Sequence, residues 1–219
     1  AAQRESLDRA AQALAPLAGG NELIVTHGNG PQIGLLAQAQ SGTRSRGRSA
    51  GGSGLADLRL DELGAETVGL IGYLLEQALA RRAVRAATLL TQVVVDPADP
   101  AFADPSKPIG PVYGEAEAEA LAAARGWEVR PDGAGWRRVV PSPAPLRILE
   151  ITAIRALLDA GLAVICAGGG GMPVVETGGG GYLGVEAVID KDATSALLAG
   201  ELGADALLLL TDVDAVYEG

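Results

Sequence analysis

This sequence predicts an α/β fold built around a mainly parallel sheet. Short apolar runs alternate with segments of helical period along all 219 residues. The runs lack the polar–apolar alternation of a half-exposed sheet, so they read as strands covered on both faces. Glycine-rich loops follow several of these runs, at the strand ends where such sheets hold their ligands.

The N-terminal segment "AAQRESLDRAAQALAPL" is amphipathic and helical. "NELIVTHG" reads as a short strand, and "PQIGLLAQAQ" as a helix with Pro31 in its first turn. Residues 41–54, "SGTRSRGRSAGGSG", have no apolar anchor and read as a flexible insert. "LDELGAETVGLIGYLLEQALARR" is a long helix, and "RAATLLTQVVVD" reads as one strand buried on both faces. Residues 96–113 carry five prolines and no period, which predicts an extended, stiffened loop. "GEAEAEALAAARG" is a polar helix, and "WEVRPDGAGWRRVV" a hairpin turning at Asp132–Gly133. "PLRILEITAIRALLDAG" reads as a helix closed by Gly161, followed by the strand "LAVICAG". After four glycines come "MPVVE", the loop "TGGGGYLG", "VEAVID", the helix "KDATSALLAGELGA" and the strand "DALLLLTD". No internal repeat is visible.

Composition narrows the function. The chain is 48% hydrophobic but only 3% aromatic, so Ala, Val, Leu and Ile must build the core. A net charge of -10 argues against a nucleic-acid surface, yet a local site can still hold phosphate. The single cysteine, Cys166, lies in an apolar run and reads as a buried, inert thiol. No apolar stretch is long enough to span a membrane and no signal peptide is evident, so a cytoplasmic protein is expected.

Three strand ends carry chemistry. Gly28, Asn29 and Gly30 follow the first strand, Gly168 to Gly171 follow "AVICA", and Thr211, Asp212 and Asp214 follow "LLLL". Bare backbone lets N–H groups approach an oxyanion, and a helix N-terminus adds a favourable dipole. Each loop alone is also compatible with a tight strand-to-helix turn. Only two lysines occur, Lys107 among prolines and Lys191 between Asp190 and Asp192 at a helix start. A lysine is a compact charge suited to a transferring phosphoryl group, although either could be a solvated surface residue. Asp190 and Asp192 also suit helix capping. His27, the only histidine, reads as an acid–base group or as a hydrogen-bonded strand-end residue. Residues 179–184 match G-x-G-x-x-G outside a strand–helix context, which reads as chance, and no G-x-x-x-x-G-K-[ST] motif occurs. No cluster suggests a protein metal site.

Taken together, "HGNGPQIG", "TQVVVDPADPAF", "KPIGPVY", "WRRVVPSPAP", "AGGGGMPVV", "GVEAVIDKD" and "LLLLTDVDAVY" resemble the carbamate kinase branch of the amino acid kinase superfamily. The resemblance implies a three-layer α/β/α sandwich with a small protruding subdomain at about 100–140. It implies reversible phosphoryl transfer between ATP and carbamate in arginine catabolism, with ATP/ADP, nucleotide-borne Mg²⁺ and a homodimer. By motif, Gly28, Asn29 and Gly30 would line the carbamoyl phosphate side, with Gly169 and Gly170 near the transferred group. Lys107 and Lys191 would neutralise charge in transfer, and Asp190 would orient them. Gly168, Thr211, Asp212, Asp214 and Tyr217 would belong to the nucleotide side. Against that family the chain starts after a Gly-Gly-Asn strand and stops before a Gly-Ser-Met loop, so a fragment of the domain is expected. Another small-acid kinase of the superfamily, or a non-catalytic fragment binding nucleotide or a partner subunit, are the alternatives.

Overall fold

The computed structural model describes residues 2–44 and 58–210. Helix α1 (Ala2–Leu14) leads to β1 (Ile24–Val25) and α2 (Gly30–Arg44). The expected insert therefore begins later than residue 41, because α2 runs on to Arg44; its remainder lies outside the described residues. Helix α3 (Leu60–Ala80) follows, then β2 (Ala86–Thr88) and β3 (Gln92–Val94). Next come β4 (Lys107–Tyr113), α4 (Glu115–Arg125), β5 (Glu128–Asp132) and β6 (Gly135–Val140). The chain returns through β7 (Arg147–Ile148), α5 (Ile151–Asp159), β8 (Ala163–Ile165), β9 (Met172–Glu176), β10 (Tyr182–Gly184) and α6 (Lys191–Leu202).

Strands β1, β8 and β2 form an all-parallel sheet in that order. Its residues alternate between two apolar layers. Ile165 and Val25 pack with Ala11 of α1 and Leu75, Ala78 and Leu79 of α3. Val164 and Cys166 pack with Ile154 and Leu158 of α5 and Leu198 of α6. This is the three-layer α/β/α arrangement, and period-2 alternation in the strands is what divides their side chains between the layers. A second sheet, β10-β9-β3-β7, continues the same strands: β3 and β9 stay parallel, while β10 and β7 join antiparallel.

Four expectations need correction. "RAATLLTQVVVD" is two strands, because buried Thr91 turns the chain between them. Its hydroxyl donates to the Leu89 carbonyl and accepts the Ala167 N–H. The proline-rich stretch is partly a strand: β4 sits at the edge of the antiparallel sheet β4-β6-β5. Prolines are tolerated at an edge, and a bulge between Ile109 and Tyr113 absorbs the irregularity. The segment before α5 is the short strand β7, paired with β3, and not helix. Finally, residues 205–210 form no strand, and Leu207 to Leu210 are exposed. A strand needs a partner for its backbone groups, and none of the described residues pairs with this run.

The β4–β6 sheet with α4 occupies residues 107–140 and joins the body through one apolar cluster. There Ile109 and Val140 meet Ile33 and Ala37 of α2, Leu60 and Leu63 of α3, and Val188. The cluster brings Lys107, at the start of β4, to the C-terminal ends of the parallel strands.

Candidate active site

β1 ends into Thr26–Gly30, and β8 ends into Cys166–Gly171, so the two loops lie side by side at one edge of the sheet. The Gly169 N–H donates to the His27 carbonyl at 2.7 Å. Asn29 is buried between the loops. Its Nδ2 donates to Thr67 Oγ1 of α3 at 3.0 Å. The Thr67 hydroxyl donates to carbonyls of its own helix, Leu63 and Gly64, which fixes it as the acceptor. The amide orientation follows from that network: Asn29 Oδ1 is left facing Gly169.

The tetraglycine is a 3₁₀ turn with left-handed backbone at Ala167 (φ 50), Gly169 (φ 64) and Gly170 (φ 91). Protein atoms crowd it from every side. A Cβ at Gly168 would strike the His27 ring, one at Gly169 the Asn29 amide, one at Gly170 the Ile189 carbonyl, and one at Gly171 Val93 and the Thr91 carbonyl. The N–H groups of Gly169, Gly170 and Gly171 all donate within the protein. Close packing of the protein on itself thus accounts for the bare backbone. A non-glycine residue held at φ 50, as Ala167 is, costs roughly 1–2 kcal/mol.

α6 presents its N-terminus to the same place. Asp190 is its N-cap: Oδ1 accepts the N–H groups of Asp192 (2.9 Å) and Ala193 (3.1 Å). The other oxygen, Oδ2, accepts from Lys107 Nζ at 3.0 Å. Burial alone would raise the Asp190 carboxyl, but the Lys107 ammonium and the two N–H groups outweigh it and hold it below the usual carboxylate range. Lys191 Nζ donates to Asp192 Oδ1 at 2.6 Å, and its aliphatic stem passes over Gly28, 3.8 Å from where a Cβ would sit. Two hydroxyls lock α6 to the loops. Thr194 Oγ1 donates to the Gly170 carbonyl at 2.9 Å. Ser195 donates to the Lys191 carbonyl, so at 2.9 Å it accepts from Thr26 at the end of β1.

The geometry brings Gly28, Asn29, Gly30, Gly168, Gly169, Gly170, Lys107, Asp190 and Lys191 to one edge of the molecule. Thr211, Asp212, Asp214 and Tyr217 lie outside the described residues. His27 is largely buried; its Nδ1 faces the Gly28 carbonyl at 3.2 Å while Nε2 has no partner, and burial lowers its pKa below 6.5. Burial pushes the Cys166 thiol up to about 12, which makes it inert. Sequence reasoning missed Thr67, Thr194, Ser195, Asp61 and Glu186. Thr67 had a legible signal: it occupies a position on the apolar Leu63–Ile71–Leu75 stripe of α3. Glu186 had none; its Oε2 accepts the Leu60 N–H at 2.7 Å and its Oε1 lies 3.7 Å from Arg138 of β6.

Residues 1–219 match the amino acid kinase family throughout, and the chain belongs to that family. Within it, the chain is similar to carbamate kinases. That of Rhizobium meliloti (strain 1021) is 49% identical over 222 residues, spanning 99% of this chain and 66% of the relative. That of Haemophilus influenzae is 48% identical over 218 residues, spanning 98% and 67%. Carbamate kinase from Giardia lamblia bound to citric acid superposes with a TM-score of 0.86 at 38% identity, covering 96% of this chain and 68% of that one. The same enzyme bound to AMP-PNP gives a TM-score of 0.81 at 39% identity, covering 96% and 66%. The chain spans about two thirds of the length of the curated relatives it matches.

Proposed function

We propose that the protein is a carbamate kinase, transferring a phosphoryl group between carbamoyl phosphate and ADP. The observation that carries this reading is the ion pair of Lys107 with Asp190, the N-cap residue directly before Lys191, which joins the chain's only two lysines to one helix start beside the glycine loops. The likeness to carbamate kinases at 48–49% identity supports the substrate, and the AMP-PNP complex of the Giardia enzyme supports the nucleotide.

In the transfer, a terminal phosphate oxygen of ADP bonds to the phosphorus of carbamoyl phosphate. The phosphorus–oxygen bond to carbamate breaks, and the electron pair leaves with carbamate. Such a loose transition state needs positioning and charge neutralisation more than covalent chemistry. Lys107 and Lys191 supply the positive charge. Asp190 aims Lys107, because one of its oxygens is anchored by the α6 backbone while the other holds the ammonium. Incoming phosphate oxygens compete with Asp190 and Asp192 for the two ammonium groups. The loops contribute shape and the N-terminus of α2, with Gly28, Asn29 and Gly30 on the carbamoyl phosphate side and Gly169 and Gly170 against the transferred group. On motif alone, Gly168, Thr211, Asp212, Asp214 and Tyr217 belong to the nucleotide side.

Among the described residues no group of three or more His, Cys, Asp or Glu side chains forms a metal cage, and Asp190 and Asp192 already hold lysines. That donor set fits a Mg²⁺ carried by the nucleotide's phosphates, which supplies further charge neutralisation when bound. No described helix is long and apolar enough to cross a membrane. A cytoplasmic homodimer working in arginine breakdown completes the proposal, by family resemblance.

A coupled assay tests it. With carbamoyl phosphate, ADP and Mg²⁺, the full-length protein should form ATP. Lys191→Ala should lower kcat by more than ~100-fold, equivalent to ~2.7 kcal/mol of transition-state stabilisation. Equal rates in the two proteins would overturn the role of Lys191, and no ATP from either would overturn the reading.

A further inference from the structure

Asp61, in the first turn of α3, is about nine-tenths buried, which is rare for a carboxylate. Its Oδ2 accepts from Arg59 Nη2 at 2.9 Å. Its Oδ1 is shut off from solvent and has no partner. The side chain lines a narrow crevice with Asn29, Gly168, Gly169, Gly171 and Val188. That crevice runs from the buried carboxylate to the loops of the proposed substrate side. The end of β10 makes room for it: any Cβ at Gly184 would overlap Asp61 Oδ2. A buried, unpaired carboxylate oxygen is costly, and it gains a partner only when a donor enters and widens the crevice.

We propose that Asp61 is a specificity-determining residue that accepts a hydrogen bond from the amino group of the carbamoyl moiety; the proposal rests on the carbamate kinase reading. Carbamoyl phosphate differs from acyl phosphates such as acetyl phosphate by an –NH₂ where they carry –CH₃. The lysines and the N-terminus of α2 address phosphate oxygens, which both kinds of donor share. Only a hydrogen-bond acceptor distinguishes the amino group. Asp61 Oδ1 and Asn29 Oδ1 are two acceptors lining the same crevice, and an –NH₂ brings two N–H donors. A buried acceptor left unpaired beside a methyl group penalises the wrong substrate, the asymmetry by which polar sites reject analogues. The carboxylate charge also repels ligands with a further anionic group at that end.

Asp61→Asn is a close test. Arg59 Nη2 already donates to the Oδ2 position, so the amide oxygen should settle there and turn Nδ2 toward the crevice. An acceptor becomes a donor with almost no change of shape. In the full-length enzyme, kcat/KM for carbamoyl phosphate should fall at least about tenfold, equivalent to about 1.4 kcal/mol, mainly through KM. The value for acetyl phosphate should change less than about threefold, so the ratio of the two collapses. Equal losses on both donors, or an unchanged ratio, would overturn the proposal while leaving the kinase reading intact. The wild type supplies a second measurement that needs no variant to fold. It should prefer carbamoyl phosphate over acetyl phosphate by at least about tenfold in kcat/KM, and equal use of the two would also overturn the proposal.

Discussion

His27 lies beneath Gly168, and burial keeps its imidazole neutral in the folded protein. In the unfolded chain it takes up a proton near its ordinary value of 6.5. A depressed folded pKa means that the unfolded state binds more protons below 6.5. Stability is therefore complete above that pH and falls as pH drops from 6.5 toward the folded value, by at most about 1.4 kcal/mol per pH unit. Urea midpoints at about pH 7.5 and about pH 5.5 should diverge more in the wild type than in His27→Gln. Parallel shifts in the two proteins would show that this histidine does not titrate in folding. Gly170 offers a second test at this scale. Its φ of 91 and the Ile189 carbonyl beside it both oppose a side chain. Gly170→Ala should cost more than about 2 kcal/mol in a denaturant melt, and a loss under about 0.5 kcal/mol would refute the packing argument.

Among the elements, α6 was the most legible in the sequence and β4 the least. Asp190 before an apolar run and Gly203 after it mark a helix by local chemistry, and both act as caps. The prolines of β4 pointed away from a strand; pairing with β6 at a sheet edge overrode that local preference. Thr91 hid the break between β2 and β3 because its hydroxyl accepts the N–H of Ala167, 76 residues away, and no local pattern encodes that bond. The lysines and loops were legible because their residue types are unusual. Thr67, Ser195 and Asp61 were not, because their meaning depends on neighbours brought by folding. The two tasks of Asp190 separate by substitution. Asp190→Ser keeps an N-cap but releases Lys107, so Tm should stay nearer the wild type while kcat falls. Asp190→Ala should also lose about 1 kcal/mol of helix stability. Equal Tm in the two variants, or a wild-type kcat in Asp190→Ser, would contradict that division.

At the scale of the whole molecule, the small antiparallel sheet carries Lys107, and the joint holding it to the body decides where that ammonium sits. The joint combines the Ile109–Val140–Ile33 cluster, the Glu186 carboxylate between α3 and Arg138, and a close approach of Gly34 to Gly110. A Cβ at Gly34 would overlap the Gly110 backbone. Gly34→Ala should push the β4-β6-β5 sheet from α2, costing about 1–3 kcal/mol and lowering kcat without touching a reacting group. The central claim is that Lys107 and Lys191 act on one transferring group. It is tested most directly by kcat/KM for carbamoyl phosphate in Lys107→Ala, Lys191→Ala and the double variant. Groups acting as a unit give a double loss well below the product of the single losses. Losses that simply multiply, or single variants with wild-type rates, would contradict it.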